Sequence, residues 1–167
     1  PSTEKLQVIL NRGSIDTDMV LLSIGVRPDN RLAKEAGLAL GHRGTVVVDE
    51  HMRTSDPNIY AVGDVVQIAR WGTGEPGYIP LAGPANKQGR IAADNIAGFA
   101  RSYKGTQGTA ILKLFDMAVG TTGLNEATAQ KAGIDYGKVS LIPGSHAGYY
   151  PGAEPISMKV LYRNGTG

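Results

Sequence analysis

The stretch Arg53-Thr54-Ser55-Asp56-Pro57-Asn58-Ile59-Tyr60-Ala61-Val62-Gly63-Asp64 decides how this chain is read. Asp56-Pro57-Asn58 is a turn signal, because proline fixes φ and the flanking Asx side chains can bond the local backbone. Residues 59–62 are apolar and rich in β-formers, which predicts a short buried strand. That strand is expected to end on Gly63-Asp64. Glycine lets another molecule approach the backbone closely, and the aspartate puts a carboxylate at the carboxyl end of a strand, where open α/β sheets bind ligands. As a local pattern, a Gly-Asp pair after a strand is equally an ordinary turn.

Composition narrows what such a site could serve. The 167 residues can fill an ordinary domain, and 41% hydrophobic with 19% charged residues is the balance of a soluble globular protein. No apolar run is long enough for a membrane helix. The net charge of +2, without a dense basic stripe, gives no sign of nucleic acid as a partner. Cysteine is absent, which excludes a disulfide framework and any cysteine redox chemistry carried by this chain itself. His42, His51 and His146 have no Cys or carboxylate spacing suited to a metal, so none is expected. No secretory leader follows Pro1, which makes a cytoplasmic location the default expectation. Pro1 stands in place of an initiating methionine, and Asn164-Gly165, a hairpin signal, has no returning strand after it. Both features lead to the expectation of an internal fragment of a longer protein.

Working outward, residues 6–10 read as a strand turned by Asn11-Arg12-Gly13, and residues 19–24 as a strand buried on both faces of a parallel sheet. Asp29 or Asn30 can cap a helix over 31–36 that Gly37 stops, and residues 45–48 form a β-branched run. Gly72-Thr73-Gly74-Glu75-Pro76-Gly77 has the letters of a phosphate-binding fingerprint, but prolines follow where a helix should open, so it reads as a surface loop. A helix is predicted from Gly83-Pro84, with an apolar face of Ala85, Gly89, Ala92, Ala93, Ile96 and Ala97 and an Arg90–Asp94 pair opposite. After a polar connector at 102–109 come strands at 110–115 and 117–121, a helix at 126–132 capped by Asn125, and strands at 138–142 and 156–162.

Residues 53–64 resemble the second flavin-binding motif of the FAD-dependent pyridine nucleotide-disulfide oxidoreductases, in which the last acid binds a hydroxyl of the FAD ribitol. That implies cofactor roles for Gly63 and Asp64. Thr17-Asp18-Met19-Val20-Leu21-Leu22-Ser23-Ile24-Gly25-Val26-Arg27-Pro28 is similar to the end of the family's NAD(P)H-binding domain. Pro80-Leu81-Ala82-Gly83-Pro84-Ala85-Asn86-Lys87-Gln88-Gly89-Arg90 resembles the helix whose start faces the flavin pyrimidine ring, a role that would fall to Leu81, Ala82 and Gly83. His146-Ala147-Gly148-Tyr149-Tyr150-Pro151-Gly152-Ala153 is similar to a loop of the coenzyme A-disulfide reductase and NADH oxidase branch. There a tyrosine enters the partner subunit's active site, which makes Tyr149 and Tyr150 the catalytic candidates, the choice between them left open. Packing of both rings within the chain is the simpler expectation.

The implied fold is α/β plus α+β: residues 1–28 ending an NAD(P)H domain, 29–101 completing the C-terminal part of a Rossmann-like FAD domain, and 102–167 forming the first half of an α+β dimerisation domain. The resemblance implies a flavoprotein using FAD and NAD(P)H, homodimeric through residues after Thr109, with a small-molecule disulfide or oxygen as acceptor. On its own this polypeptide is expected to be inactive. Two alternatives stay open, a ferredoxin or rubredoxin reductase-type flavoprotein and a non-enzymatic dimerisation module.

Overall fold

The computed structural model describes residues 5–165. It begins with an antiparallel hairpin of β1 (Leu6–Leu10) and β2 (Gly13–Thr17), in register from Leu6 opposite Thr17 to Leu10 opposite Gly13. The second strand was not evident in the sequence, because Gly-Ser-Ile-Asp-Thr carries little apolar alternation. The run at 19–24, expected as a buried parallel strand, is not a strand. Met19, Leu21 and Ile24 are 77%, 85% and 88% exposed, and no described segment lies beside them to supply a ladder. A parallel strand exists only through non-local neighbours, which an apolar run invites but does not provide.

Helix α1 (Arg31–Glu35) starts at Asn30, but the oxygen reaching back to its first turn belongs to Asp29, which accepts the Arg31 N–H at 3.3 Å. The expected strand at 45–48 reduces to single bridges on either side of Val46, antiparallel to Leu40 and parallel to Val66. The expected strand at 59–62 likewise reduces to one bridge, Arg53 to Tyr60, closed by the Ala61 N–H on the Met52 carbonyl at 3.1 Å. In both places the β-formers sit extended but find pairing for only about one residue each. The fingerprint-like loop at 72–77 belongs to a miniature hairpin of β3 (Ile68–Ala69) and β4 (Pro76–Gly77), and it runs into a strand instead of opening a helix.

Helix α2 (Ala82–Ile96) is the longest element. Proline falls in its first turn, where a missing N–H costs nothing. Its buried residues are Pro84, Gln88 and Ala92, so the inward face is rotated from the one predicted, and Ile96 is left exposed. Asp94 pairs with Arg101 at 3.5 Å in place of the expected Arg90. The chain leaves α2 through Gly98 at φ +92° and doubles back, held by Asn95, whose Oδ1 accepts the Arg101 N–H at 2.9 Å.

The core gathers Met52, Val66, Ile68, Ala92 and Tyr103, with Tyr60, Val62, Val65 and Ile91 packed around it. Met52 adopts a left-handed backbone (φ 68°), which the Asp49 carboxylate imposes by accepting the N–H groups of His51 at 2.8 Å and Arg53 at 2.9 Å. The polar stretch at 102–109 is stitched down: the Tyr103 N–H donates to the Glu50 carbonyl at 2.7 Å and Thr106 bridges Arg70.

Beyond it come β5 (Ala110–Leu114) and β6 (Met117–Thr121), then α3 (Glu126–Lys131), then β7 (Tyr136–Leu141) paired antiparallel with β8 (Met158–Arg163). This is the predicted β-β-α-β-β order. Asn125 caps α3 by accepting the Thr128 N–H at 2.9 Å, and Gly133 leaves it at φ +64°. Glu126 ties α3 to both following strands through Lys138 at 2.8 Å and Lys159 at 2.7 Å. Among the described residues, no helix is long and apolar enough to cross a membrane.

Candidate functional site

Gly63 and Asp64 open a single 3₁₀ turn, Gly63–Val65, entered from the extended Val62. Gly63 has φ +82°, and a Cβ there would meet only the Ala85 Cβ at 3.9 Å, an ordinary contact. Glycine is therefore required by backbone conformation rather than by space. Asp64 is exposed, and no hydrogen bond or ion pair from the described residues engages its carboxylate.

The turn packs against α2. That helix begins at Leu81, whose extended backbone (φ −135°, ψ 143°) makes it the cap residue without any side-chain cap. Leu81 supplies its carbonyl to the Ala85 N–H at 3.2 Å, and Pro84 has no N–H. The N–H groups of Ala82 and Gly83 are thus the free donors of an exposed helix start, and no acidic residue in the first turn offsets the positive end of the dipole. One unpaired carboxylate and one uncapped helix start stand on the same packed unit.

What joins them is Gln88, which sequence reading did not single out. Its side chain is 1% exposed and its Oε1 accepts the Gly63 N–H at 2.7 Å. A polar residue at helical spacing between Pro84 and Ala92 was the available signal. Beside it the Tyr103 hydroxyl is buried; burial raises its pKa, and the nearby Gln88 and Thr106 side chains offset only part of that. Neither reaches full hydrogen-bond geometry with the hydroxyl.

Tyr149 and Tyr150 lie elsewhere, at the tip of the β7–β8 connection. The Gly144–Pro155 bridge closes the base of that tip, and the Tyr150 N–H donates to the Ala147 carbonyl at 3.0 Å. The two rings touch each other, with centroids 4.7 Å apart, and His146 meets Tyr150 edge-on at 6.4 Å. They are 83% and 60% exposed, so the expectation that both pack within the chain is not met. No described contact joins them to Gly63, Asp64, Leu81, Ala82 or Gly83. Two hollows lie apart from all these residues: a polar one of about 260 Å³ with Arg43, Arg70, Glu75 and Lys131, and a largely apolar groove of about 990 Å³ between β5–β6, α3 and β8. Among the described residues no group of three or more His, Cys, Asp or Glu is placed to hold a metal.

A glycine turn presenting a free acid on the unit that carries an open helix start is chemically suited to a ligand bearing hydroxyls and an electron-rich edge, in a chain of mixed α and β elements. Residues 1–89 match the family described as pyridine nucleotide-disulphide oxidoreductase, and the chain belongs to that family. It is 36% identical over 160 residues to an NAD(P)H sulfur oxidoreductase (CoA-dependent) of Pyrococcus abyssi, covering 96% of this chain and 36% of that protein. It is 37% identical over 162 residues to an NADH oxidase of Methanocaldococcus jannaschii, covering 95% of this chain and again 36% of the relative. Among solved structures, reduced Bacillus anthracis CoADR-RHD superposes with a TM-score of 0.89 at 50% identity, covering 94% of this chain and 28% of that one. The chain thus spans about a third of the length of these proteins.

Proposed function

We propose that this chain is the flavin-contacting and subunit-joining part of an FAD-dependent NAD(P)H oxidoreductase whose acceptor is a small disulfide, such as coenzyme A disulfide, or oxygen. The observation that carries the reading is the unengaged Asp64 carboxylate on a turn that packs against α2 at Ala85, in the first turns after its uncapped start. These residues fit the cofactor. A free carboxylate accepts from the hydroxyls of a ribitol chain, the N–H groups of Ala82 and Gly83 suit an electron-rich ring edge, and Gly63 keeps the backbone approachable. When bound, FAD would accept hydride from NAD(P)H and pass the electron pair onward.

The residues of this chain bind and bias. Asp64 orients, and the positive end of α2, equivalent to about half a charge, favours a negatively charged group that meets the N–H groups of Ala82 and Gly83. Cysteine chemistry toward a disulfide has to come from outside this chain, which has none. Tyr149 and Tyr150, displayed at the loop tip, are suited to reach a second subunit and donate a hydrogen bond to a thiolate leaving group. Residues after Thr109 would form the dimer contact, a reading supported by the exposed Ile111, Phe115 and Val119 on β5–β6. Residues 1–28, 29–101 and 102–167 are accordingly the end of the NAD(P)H domain, the C-terminal part of the FAD domain and part of the interface domain.

Titration of the purified chain with FAD, followed by flavin fluorescence and the visible spectrum, tests the site. Saturable binding is expected, weakened about tenfold or more in Asp64→Ala, as loss of a charge-assisted hydrogen bond predicts. Equal affinity of wild type and Asp64→Ala would remove Asp64 from the site.

A further inference from the structure

The 3₁₀ turn and α2 meet at a mostly apolar core, to which Val65 contributes from the turn and Ile91 and Ala92 from the helix. Apolar contacts resist separation, but they are non-directional and do not fix how far one element slides along another. Gln88 is the exception. It is a polar side chain at 1% exposure in a small core, where methionine would fill similar volume without a polar group to satisfy. Its one directional bond goes to Gly63 N–H, at 2.7 Å, the residue immediately before the free Asp64 carboxylate. The helix that carries Gln88 begins at the free N–H groups of Ala82 and Gly83.

We infer that Gln88 is a positioning residue of the binding edge: its hydrogen bond to Gly63 fixes where the Asp64 carboxylate stands relative to the open start of α2, so that both can hold one ligand. The ligand end of this inference rests on the flavin reading above; the positional end does not. The reason is geometric. Asp64 has no protein partner of its own, so its placement depends on the backbone of Gly63, and the only described side-chain bond to that backbone comes from Gln88.

Residue-resolved amide hydrogen exchange on the 167-residue chain, with an FAD titration on the same samples, decides it. In Gln88→Met, which removes the acceptor at similar length, exchange at Gly63 is expected to accelerate about tenfold or more while the Gln67 and Tyr103 amides, tied into the same core, keep their rates. FAD affinity is expected to fall by about the same factor. Gln88→Glu, which retains an acceptor oxygen, should restore slow exchange at Gly63 and most of the affinity. Unchanged exchange at Gly63 in Gln88→Met would overturn the inference. So would a loss of protection spread to the Gln67 and Tyr103 amides, because Gln88 would then only support the fold. Should wild type itself bind no FAD, the flavin reading fails, and the exchange data still decide the positioning role.

Discussion

Gly63 holds a backbone conformation that an L side chain reaches only with strain, and it does so at the junction of the core and the candidate site. Gly63→Ala is therefore expected to lower stability by about 1–2 kcal/mol, read as a fall in the urea midpoint at constant slope. An unchanged midpoint would mean that the turn relaxes freely and that its geometry is not imposed by Gln88. A second residue acts through charge. Glu126 is pulled down to about 2 from its ordinary value of 4.5, first by its hydrogen bond to Lys138 and then by that to Lys159. Its folded value lies below its unfolded one, so its stabilising contribution is complete above pH 4.5 and is lost as the pH falls toward about 2. The carboxylate is a quarter exposed (25%) and both lysines more than half (57% and 54%), so water and salt screen the triad. Melting temperatures measured between pH 6 and pH 3 should fall more steeply for wild type than for Glu126→Gln, and the difference should shrink in high salt. Parallel curves would show that the triad contributes nothing.

Elements whose determinants lie within a few residues are the ones the sequence made legible. Helix α3 is one: Asn125 caps it, Gly133 releases it, and the observed ends differ by a single residue from those expected. Asn125→Ala is expected to cost about 1 kcal/mol and to speed exchange of the Thr128 amide selectively. If that amide keeps its protection, the cap is ornamental. The strands of the β5–β6 hairpin were legible for the same reason, with the turn local, and β7 and β8 were legible as separate strands within about two residues of their ends, whereas their pairing across residues 142–157 was not. Residues 19–24, 45–48 and 59–62 failed together, because each reads as a strand only in the company of distant strands, and the described chain supplies two single-residue bridges at Val46, one at Tyr60 and none at 19–24. The candidate site divides along the same line. Gly63, Asp64 and the start of α2 were visible as short motifs, whereas the rotation of α2 that buries Gln88 depends on what lies beneath it.

At the scale of the whole molecule, the proposed function raises the question of whose site Tyr149 and Tyr150 would serve. Their rings stand at a solvent-exposed tip, without a described contact to the Asp64 edge of the same chain. In a symmetric dimer each subunit's loop can serve the other's site, and hybrid dimers of the parent protein separate that arrangement from action within one subunit. Consider one subunit with its redox cysteine replaced by serine, paired with a second carrying Tyr149→Phe and Tyr150→Phe. If the tyrosines act across the interface, the first subunit's site loses both groups. The second subunit's site keeps its own cysteine and receives intact tyrosines, so about half of wild-type disulfide reduction should remain. If they act within their own subunit, each site lacks one group and the hybrid is nearly inactive. Placing all three substitutions in one subunit reverses the outcomes: across-interface action then leaves no complete site, and within-subunit action leaves one. The double Phe homodimer calibrates both hybrids and should lose about 10²-fold or more in turnover, the usual size of a lost acid-base contribution. Undiminished turnover in that homodimer would take the tyrosines out of the chemistry and leave the loop as a contact surface alone.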